Sequence, residues 1–441
     1  MGFLFQLCRQ PVILGYLVAG ALIGPQIGFK LVSDPANIEV ISEIGLILLL
    51  FIIGLELNPA KLLSSGKKLI YAGVGQFVLC VLIGLGFFVL LGYPLGGGRI
   101  EALYLSLFCA LSSTAIVVKL LYDKFELDTL PGRISLGILI FQDLWAILIL
   151  ALQPNFMDPK LHLVALALGK GVLLLAVGFL LSRFALRWIF AKIAKTPEMV
   201  VATSIAWCAF MAGLGSWIGM SMEMGALIAG AAIASFPYGV HVTAKVLPLR
   251  DFFLTLFFLS IGMKIPFPDA ATLTMAVLIV LFVIASRFLT IYPILQLSGS
   301  GRRTSFITSL NLAQISEFSL VVAALGVQYG HIQQSLMSLI IYAMAITSVL
   351  SSYFIKGNHT IYLAFDRVLT RMGFPSKAAR ETAEEEQDHY PIVLLGYHRG
   401  ARAIVEKIEE AAPDLLEKIL VIDFNLEVLK ELEDRHVKGV F

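Results

Sequence analysis

Residues 15–23 read GYLVAGALI and residues 225–233 read GALIAGAAI, so a pattern of small and apolar residues returns 210 positions later. A second pair follows in the same order: LILLLFIIGLE at 46–56 returns as LTLFFLSIGMK at 254–264, an offset of 208. Apolar segments often match by chance, and one pair alone carries little weight. Two pairs in one order at nearly one offset indicate an internal repeat.

A third, fainter pair extends the repeat. SSTAIVV at 112–118 returns as SEFSLVV at 316–322, an offset of 204. Three pairs in the same order are much less easily explained by chance than any one of them. The sequence therefore predicts two related halves.

The composition is that of a membrane protein. Of the 441 residues, 58% are hydrophobic and 15% are charged, and the mean hydropathy is +0.86, whereas soluble proteins are about 25% charged. Residues 356–441 carry 12 Lys/Arg and 16 Asp/Glu, while residues 1–355 carry 21 and 15. We expect an apolar, slightly basic body in the lipid bilayer and a polar, acidic tail, which excludes an ordinary soluble enzyme.

The apolar segments predict the number of membrane crossings. A helix needs about 20 mostly apolar residues to cross a bilayer. Twelve segments reach or approach this length: 11–28, 38–57, 69–93, 102–122, 134–153, 161–182, 198–220, 222–236, 249–264, 271–297, 305–327 and 335–355. We therefore expect about twelve spans, of which 222–236 and 249–264 are short.

The charges between these segments predict the orientation. If the segments alternate, the loops on the side of the C-terminal tail carry twelve basic residues: Lys61, Lys67, Lys68, Lys124, Arg133, Arg183, Arg187, Lys192, Lys195, Lys245, Arg302 and Arg303. The opposite loops carry three: Lys30, Arg99 and Lys160. Because cytoplasmic loops are enriched in Lys and Arg, we expect a multi-pass protein of the cell (inner) membrane with a cytoplasmic tail.

The repeat and the spans together predict the fold. Seven spans separate the two copies, so corresponding helices enter the membrane from opposite faces. Inverted repeats of this kind are typical of secondary transporters, whose binding site lies at the midplane between broken helices. We expect an all-α polytopic membrane domain over residues 1–355, a cytoplasmic linker over 356–388 and a separate α/β segment over 389–441.

Asp143 is the main candidate for chemistry in the membrane. It lies ten residues into the span 134–153, and no basic residue shares the predicted membrane part of that helix. A charge at the bilayer centre costs at least about 2.5–3.5 kcal/mol, so a mid-span acid is a functional hypothesis by default. A buried carboxylate can hold a proton or a partly dehydrated cation, and this competition is sufficient for electroneutral exchange. A permanently protonated acid in a helix–helix hydrogen bond is the structural alternative.

Other polar residues in spans are candidates for supporting roles. Gln142 can offer a carbonyl oxygen to an ion, and the hydroxyls of Ser112, Ser113 and Thr114 can coordinate an ion or satisfy an unwound backbone. A small-residue packing seam is an equally good interpretation of any one hydroxyl.

Two charged residues belong to the second half of the sequence. Glu317, in the segment that matches the hydroxyl cluster, is a second buried acid. Arg287 is the only strongly basic residue in the span 271–297. Its charge either neutralises Glu317 or helix ends, or tunes proton binding at Asp143.

The tail has a pattern of its own. HYPIVLLGYHRGARAIVEKIEE at 389–410 predicts a strand, a turn and a helix, and KILVIDF at 418–424 predicts a second strand ending near Asp423. This is typical of the start of a Rossmann unit, in which a strand-end acid binds ribose. The glycine fingerprint is incomplete, because His398 occupies the second glycine position. Gly396, Arg399 and Asp423 are therefore only doubtful nucleotide-binding residues, and no cofactor is firmly expected.

These motifs together resemble the Kef type of the monovalent cation:proton antiporter family, the glutathione-regulated potassium-efflux systems with a TrkA-N domain. The resemblance covers nearly the whole chain. It is carried by GYLVAGALIGP (15–25), EIGLILLLFIIGLELNP (43–59), ALSSTAIV (110–117), FQD (141–143), QISEF (314–318) and the Rossmann-like tail.

The resemblance implies a sodium/proton-exchanger-like fold and exchange of K⁺ for protons by alternating access, with Asp143 as the ion carrier. It also implies a homodimer and a tail that senses a nucleotide or a thiol ligand. Relatives with two adjacent acids are typically sodium exchangers, so Gln142 favours K⁺, with Na⁺ as the alternative. Compared with the family, we expect the first family helix to be missing from this sequence and the Rossmann segment to be truncated.

Two other functional classes compete with this hypothesis. A ligand-gated potassium-efflux channel is the alternative, but the sequence has no T-V-G-Y-G filter, and a channel has no need of a titratable acid at mid-span. An oxidoreductase would need a catalytic domain that the tail lacks, so we expect a transporter and not an enzyme. The four cysteines lie far apart, and we expect neither a resident metal site nor a nucleic-acid partner.

Overall fold

The protein is described here by a computed structural model. It describes residues 1–7, 10–32, 34–56, 67–157, 161–193, 196–234, 245–246, 250–372, 390–423, 428, 431–432, 435 and 437–440. Cys8, which is one of the four cysteines, and the loop residues Lys61, Lys160 and Lys195 lie outside the described residues.

The described chain is mostly helical up to residue 372. Its helices are α1 Gly2–Leu7, α2 Val12–Ile23, α3 Pro35–Glu56, α4 Lys67–Leu90, α5 Glu101–Ala110, α6 Thr114–Asp123, α7 Leu130–Leu152, α8 Leu161–Leu181, α9 Arg187–Ile193, α10 Pro197–Trp217, α11 Met222–Ala234, α12 Arg250–Met263, α13 Ala270–Leu297, α14 Arg302–Asn311, α15 Glu317–Gln328, α16 Gln334–Lys356 and α17 Asn358–Arg371. A π-helical turn joins α8 to α9. Each predicted span therefore coincides with a helix or with a pair of helices.

Seven helical segments of the described residues are long and apolar enough to cross a membrane. They are Leu69–Leu90, Glu101–Asp123, Leu130–Asn155, Gly169–Ile193, Glu198–Trp217, Ala270–Leu297 and Gln334–Lys356. Four shorter apolar helices are Val12–Ile23, Met222–Ala234, Phe252–Met263 and Glu317–Gln328. The protein is a multi-pass membrane protein, and the twelve crossings stay a prediction.

Two of the predicted spans are interrupted in the middle. The segment 102–122 consists of α5 and α6 with three non-helical residues between them, and 305–327 consists of α14 and α15 with five between them. Leu111 and Ser113 have extended backbone angles in the first break, and Ser316 has them in the second. The expectation of broken helices therefore holds at both positions.

The repeated segments pack against each other through glycines. Gly20 of α2 lies so close to α12 that a Cβ there would overlap the Leu259 carbonyl oxygen, and Gly54 of α3 lies equally close to the Leu227 carbonyl oxygen of α11. In the repeat, α2 corresponds to α11 and α3 to α12. The first segment of each copy thus packs on the second segment of the other, which is the pairing that a twofold relation between the copies produces.

The described tail contains three strands, with an α-helix and a 3₁₀-helical turn (Pro413–Lys418) between the first two. The strands and the α-helix are β1 Ile392–Leu395, α18 Arg399–Ala411, β2 Ile419–Ile422 and β3 Lys438–Val440. The strands are parallel and lie in the order β1-β2-β3. The predicted strands and helix are present, whereas the Rossmann assignment stays a prediction. The predicted linker over 356–388 begins with α17, and residues 373–389 lie outside the described part.

Candidate functional site

The two breaks cross and bond to each other. The Ser316 backbone N–H donates to the Leu111 carbonyl oxygen at 3.1 Å. The Ser112 hydroxyl donates to the Leu312 carbonyl oxygen at 2.9 Å. An interrupted helix leaves backbone donors and acceptors unpaired, which is tolerated in a membrane only where other protein groups satisfy them. Each break thus satisfies part of the other.

Arg287 lies where two half-helices end. It projects from α13 and is wholly buried. Its Nε donates to the Leu312 carbonyl oxygen after α14 at 2.9 Å, and its Nη1 donates to the Ala110 carbonyl oxygen at the end of α5 at 3.4 Å. Helix C-termini carry partial negative charge. The structure therefore places the Arg287 side chain at helix ends, which is one of the positions expected for it.

Carboxylates lie where the other two half-helices begin. Asp143 of α7 is half-buried, and the hydroxyl of Thr114, the first residue of α6, lies 3.3 Å from each of its carboxylate oxygens. Glu317 is the first residue of α15. Because helix N-termini carry partial positive charge, the acids at the starts of α6 and α15 balance that charge. Arg287 does the same for the negative ends of α5 and α14.

Serines cap the same two half-helices. The Ser113 hydroxyl accepts the Ile116 N–H at 3.2 Å, and the Ser316 hydroxyl accepts the Phe318 N–H at 3.1 Å. These are ordinary N-cap hydrogen bonds, which satisfy donors that a helix start leaves unpaired. The Ser113 hydroxyl therefore satisfies backbone at the helix start, which is one of the two roles predicted for the hydroxyls.

Gln142 is held at both ends of its amide. Its Oε1 accepts the Ser112 backbone N–H at 2.7 Å, and its Nε2 donates to Gln76 Oε1 at 2.8 Å. Gln76 in turn donates from Nε2 to the Ala110 carbonyl oxygen at 3.1 Å. The Gln142 amide oxygen, which was expected to face the ion, instead accepts a hydrogen bond from the backbone of the break between α5 and α6.

The structure brings most of the predicted site residues together. Ser112, Thr114, Gln142 and Asp143 meet at the first break, and Arg287 joins them through the Leu312 carbonyl oxygen that Ser112 also uses.

Glu317 lies half-buried to one side of the crossing. It lines a narrow crevice with Leu14 of α2, Pro11 immediately before α2, and Ile116 of α6. The crevice is also lined by Met344 and Ser348 of α16, so the acid lies in a seam between α15, α16 and helices of the first half of the sequence.

Gln76 is not among the site residues predicted from the sequence. The signal was available, because Gln76 is a carboxamide within the apolar helix α4, and polar side chains in membrane helices hydrogen-bond to neighbouring helices. Its partner could not be foreseen, since Gln142 lies 66 residues further along the chain.

A charged cluster lies at the end of α6, outside the spans. Lys124 Nζ lies 2.7 Å from Glu126 Oε1, His359 Nε2 lies 3.0 Å from the same oxygen, and Asn358 donates to Glu126 Oε2 at 3.2 Å. Burial raises the pKa of Glu126, but the hydrogen bonds from Lys124 and Asn358 and the charges of Lys124 and His359 outweigh it. The pKa of Glu126 is therefore lowered from its ordinary value.

The tail places two of its three candidate residues at one turn. Gly396 follows β1 with a φ of +83°, a backbone angle that favours glycine. Asp423 follows β2, is buried, and accepts the Tyr397 N–H on Oδ2 at 2.6 Å. Arg399 begins α18, and its side chain lies outside the described atoms. Nucleotide binding at this turn stays a prediction.

The fold and the crossing define the class: a multi-pass membrane protein whose two interrupted helices cross beside a half-buried carboxylate. Comparison with known families agrees with that class. The chain belongs to the family described as "Sodium/hydrogen exchanger, transmembrane", whose family model matches residues 1–356. The predicted resemblance to cation:proton antiporters is confirmed.

Curated relatives include potassium-efflux antiporters. K(+) efflux antiporter 6 of Arabidopsis thaliana is 32% identical over 337 residues, which cover 73% of this chain and 55% of the relative. Glutathione-regulated potassium-efflux system protein KefC of Klebsiella pneumoniae is 32% identical over 400 residues, covering 88% and 61%. The putative cation/proton antiporter YbaL of Escherichia coli is 28% identical, covering 100% and 80%. The chain spans 55% to 61% of the length of the plant relatives it matches.

A solved structure shares the fold. The sodium proton antiporter MjNhaP1 of Methanocaldococcus jannaschii superposes with a TM-score of 0.57 at 17% identity, covering 82% of this chain and 94% of that one. At this identity the similarity supports the fold of the membrane domain.

Proposed function

We propose that the protein is a secondary transporter that exchanges a monovalent cation for protons across the membrane. The observation that carries the proposal is the placement of Asp143: a half-buried carboxylate, bonded to Thr114 at the start of a half-helix, beside the crossing of two breaks. Membership of the sodium/hydrogen exchanger family supports it.

Asp143 carries either a proton or the cation. Loss of the proton leaves a carboxylate that attracts a cation, and the Thr114 hydroxyl, which donates to the carboxylate in this structure, has oxygen lone pairs that a cation can use. Ser112 and Ser113 are engaged in backbone contacts and shape the break. Because one carboxylate holds one positive charge in either state, the exchange is electroneutral.

The remaining charges balance the crossing and do not travel. Arg287 stays with the two helix ends, and Glu317 stays at the start of α15. The two related halves rock around Asp143 and open it to each side in turn, as in other transporters with inverted repeats. In this arrangement Asp143 is open to only one side of the membrane at a time, so ions are exchanged without a continuous pore.

We favour K⁺ as the cation and keep Na⁺ as the alternative. Gln142 occupies the position before Asp143, so the site has one adjacent acid and not two. Two of the relatives are named as potassium-efflux proteins. The solved structure with the same fold belongs to a sodium proton antiporter, so the fold alone does not choose between the two ions.

The tail is proposed to be cytoplasmic and regulatory. The excess of Lys and Arg in the loops on its side supports this orientation in the cell (inner) membrane. The turn formed by Gly396 and Asp423 is where a nucleotide would bind. A homodimer is proposed from the resemblance to Kef-type proteins.

Reconstituted vesicles with an internal pH dye test the exchange. With the voltage clamped by an ionophore, wild-type protein should dissipate an imposed pH gradient when K⁺ or Na⁺ is added. Asp143→Asn should abolish this flux and leave the protein folded. Glu43→Gln is the matched control, because it removes an acid of α3 whose side chain is exposed and lies outside the crossing; its flux should equal that of wild type.

The same assay separates the exchanger from a channel. A channel would move K⁺ without obligatory proton flux, and its current would respond to voltage. Cation-dependent proton flux that persists in Asp143→Asn would refute the proposed role of Asp143.

A further inference from the structure

The side chains of Gln76 and Gln142 form a chain of hydrogen bonds that begins and ends at the break between α5 and α6. The Ala110 carbonyl oxygen accepts from Gln76 at 3.1 Å, Gln76 accepts from Gln142 at 2.8 Å, and Gln142 accepts the Ser112 N–H at 2.7 Å. Both glutamines are essentially fully buried. Two side chains from α4 and α7 thus bridge backbone groups that lie only two residues apart.

The direction of the chain is fixed by the backbone at its two ends. A carbonyl oxygen such as that of Ala110 can only accept, and a backbone N–H such as that of Ser112 can only donate. Each amide must therefore present its nitrogen toward Ala110 and its oxygen toward Ser112. Reversing either amide would place two donors or two acceptors together, which is costly in a buried site.

The chain requires a carboxamide at both positions. An ionised acid at position 142 would offer only acceptors to Gln76 Oε1, and Gln76 could not turn its nitrogen to that acid without facing Ala110 with its oxygen. A leucine at position 76 would leave Gln142 without an acceptor for its Nε2 among the contacts described here. The hold on Ser112 therefore depends on Gln76 as well as on Gln142.

We propose that Gln76 is a positioning residue for cation binding: through Gln142 it fixes the backbone at Ser112 and so places Thr114 beside Asp143. Ser112 lies in the break, two residues before Thr114, the first residue of α6. The Thr114 hydroxyl lies 3.3 Å from both oxygens of Asp143. A shift of the break by a fraction of an ångström is enough to change that contact. The inference rests on the proposed exchange at Asp143 and adds a residue that does not touch the ion.

The test compares two buried glutamines in the vesicle assay. Gln76→Leu removes both hydrogen bonds of the Gln76 amide and leaves an apolar side chain among apolar neighbours. We expect the KM for K⁺ to rise about tenfold, which corresponds to the free energy of one lost buried hydrogen bond. Gln153→Leu is the matched control: Gln153 is also fully buried and also bridges helices, through Tyr104 and the Val322 carbonyl oxygen. It lies just after the C-terminal end of α7, ten residues from Asp143, so its loss should lower yield or maximal rate and leave KM unchanged.

The double variant Gln76→Leu/Gln142→Leu gives a second readout. Because both residues act through one chain, the rise in KM should be about that of the larger single effect, and not the product of the two. An unchanged KM in Gln76→Leu, an equal rise in Gln153→Leu, or multiplicative effects in the double variant would each overturn the proposal.

Hydrogen–deuterium exchange tests the positioning without transport. The Ser112 N–H is protected by Gln142 in wild type, so a peptide covering residues 110–116 should exchange faster in Gln76→Leu and at the wild-type rate in Gln153→Leu. Unchanged exchange in Gln76→Leu counts against Gln76 alone. Absence of cation-dependent proton flux in wild type counts against exchange at Asp143, so the two proposals fail separately.

Discussion

The contact between Asp143 and Thr114 is the smallest feature on which the proposed exchange depends. The hydroxyl is equidistant, at 3.3 Å, from both carboxylate oxygens, which is long for an O–H···O hydrogen bond. A hydroxyl at that distance holds the carboxylate weakly and can turn away from it. Such a pair suits a site that must release a proton and accept a cation in turn.

Individual residues differ in how far the sequence reveals them. Asp143 is evident because an acid in the middle of an apolar span is costly and so needs a reason. Gln142 and the hydroxyls at 112–114 follow from their neighbourhood in the chain. Gln76 and the helix-end contacts of Arg287 depend on which helices meet, and Arg287 lies 177 residues from Ala110. No local pattern encodes such a contact.

The cluster at Glu126 gives a prediction about pH. The pKa of the Glu126 carboxyl group is lowered from its ordinary value of 4.5. The ionised form therefore stabilises the fold at pH values above 4.5. That contribution is lost as pH falls through the lowered pKa. We expect Glu126→Gln to reduce the free energy of unfolding by about 1 kcal/mol near neutral pH, with the difference from wild type shrinking in acid.

Thermal unfolding of both proteins in detergent, measured over a series of pH values, checks this. A difference between Glu126→Gln and wild type that stays constant into acid would contradict the assignment.

At the scale of helices, the two interruptions organise the molecule. Each interrupted helix offers one negative end to Arg287 and one positive start to an acid. The hydroxyl cluster and the QISEF segment predicted where the helices break. They could not predict that Leu111 would accept from Ser316, because the way two breaks cross depends on the packing of the surrounding helices.

The glycine contacts between the repeated segments predict a sharp difference between two substitutions. A Cβ at Gly230 of α11 would overlap the Phe51 carbonyl oxygen of α3, whereas a Cβ at Gly213 of α10 would meet nothing within 4 Å. We expect Gly230→Ala to destabilise the protein by about 1–3 kcal/mol, the usual cost of overpacking. Gly213→Ala should be neutral or stabilise by up to about 1 kcal/mol, because alanine favours helix.

Fluorescence-detected unfolding of the two variants in the same detergent distinguishes them. Equal stability of Gly230→Ala and Gly213→Ala would show that α3 and α11 do not approach as closely as described.

The tail elements follow the sequence closely. The predicted strand, turn and helix over 389–410 correspond to β1, the Gly396 turn and α18, and 418–424 corresponds to β2. Short parallel strands with intervening turns are readable from apolar runs and glycine. Ligand binding cannot be predicted in this way. The turn contains His398 where the glycine fingerprint has its second glycine, and the position of that side chain decides whether a phosphate could approach the turn.

For the whole molecule, the repeat was the most informative signal. It predicted paired segments, and the glycine contacts join α2 to α12 and α3 to α11. The number of crossings is harder to obtain, because four apolar helices are shorter than a bilayer-spanning helix and two spans are interrupted. Among the described residues, seven helical segments are both long and apolar enough to cross a membrane, whereas hydropathy and loop charge in the sequence predict twelve spans.

The central claim is that one carboxylate, Asp143, binds a proton and a cation in competition. Its most direct test is proton release from purified protein in weakly buffered detergent when KCl is added, repeated across the pH range in which the protein stays folded. Wild type should release roughly one proton per bound cation over part of that range, because a single carboxylate holds one or the other. Asp143→Asn should release none. Cation binding by wild type without proton release at any pH, or equal release by Asp143→Asn, would contradict the claim.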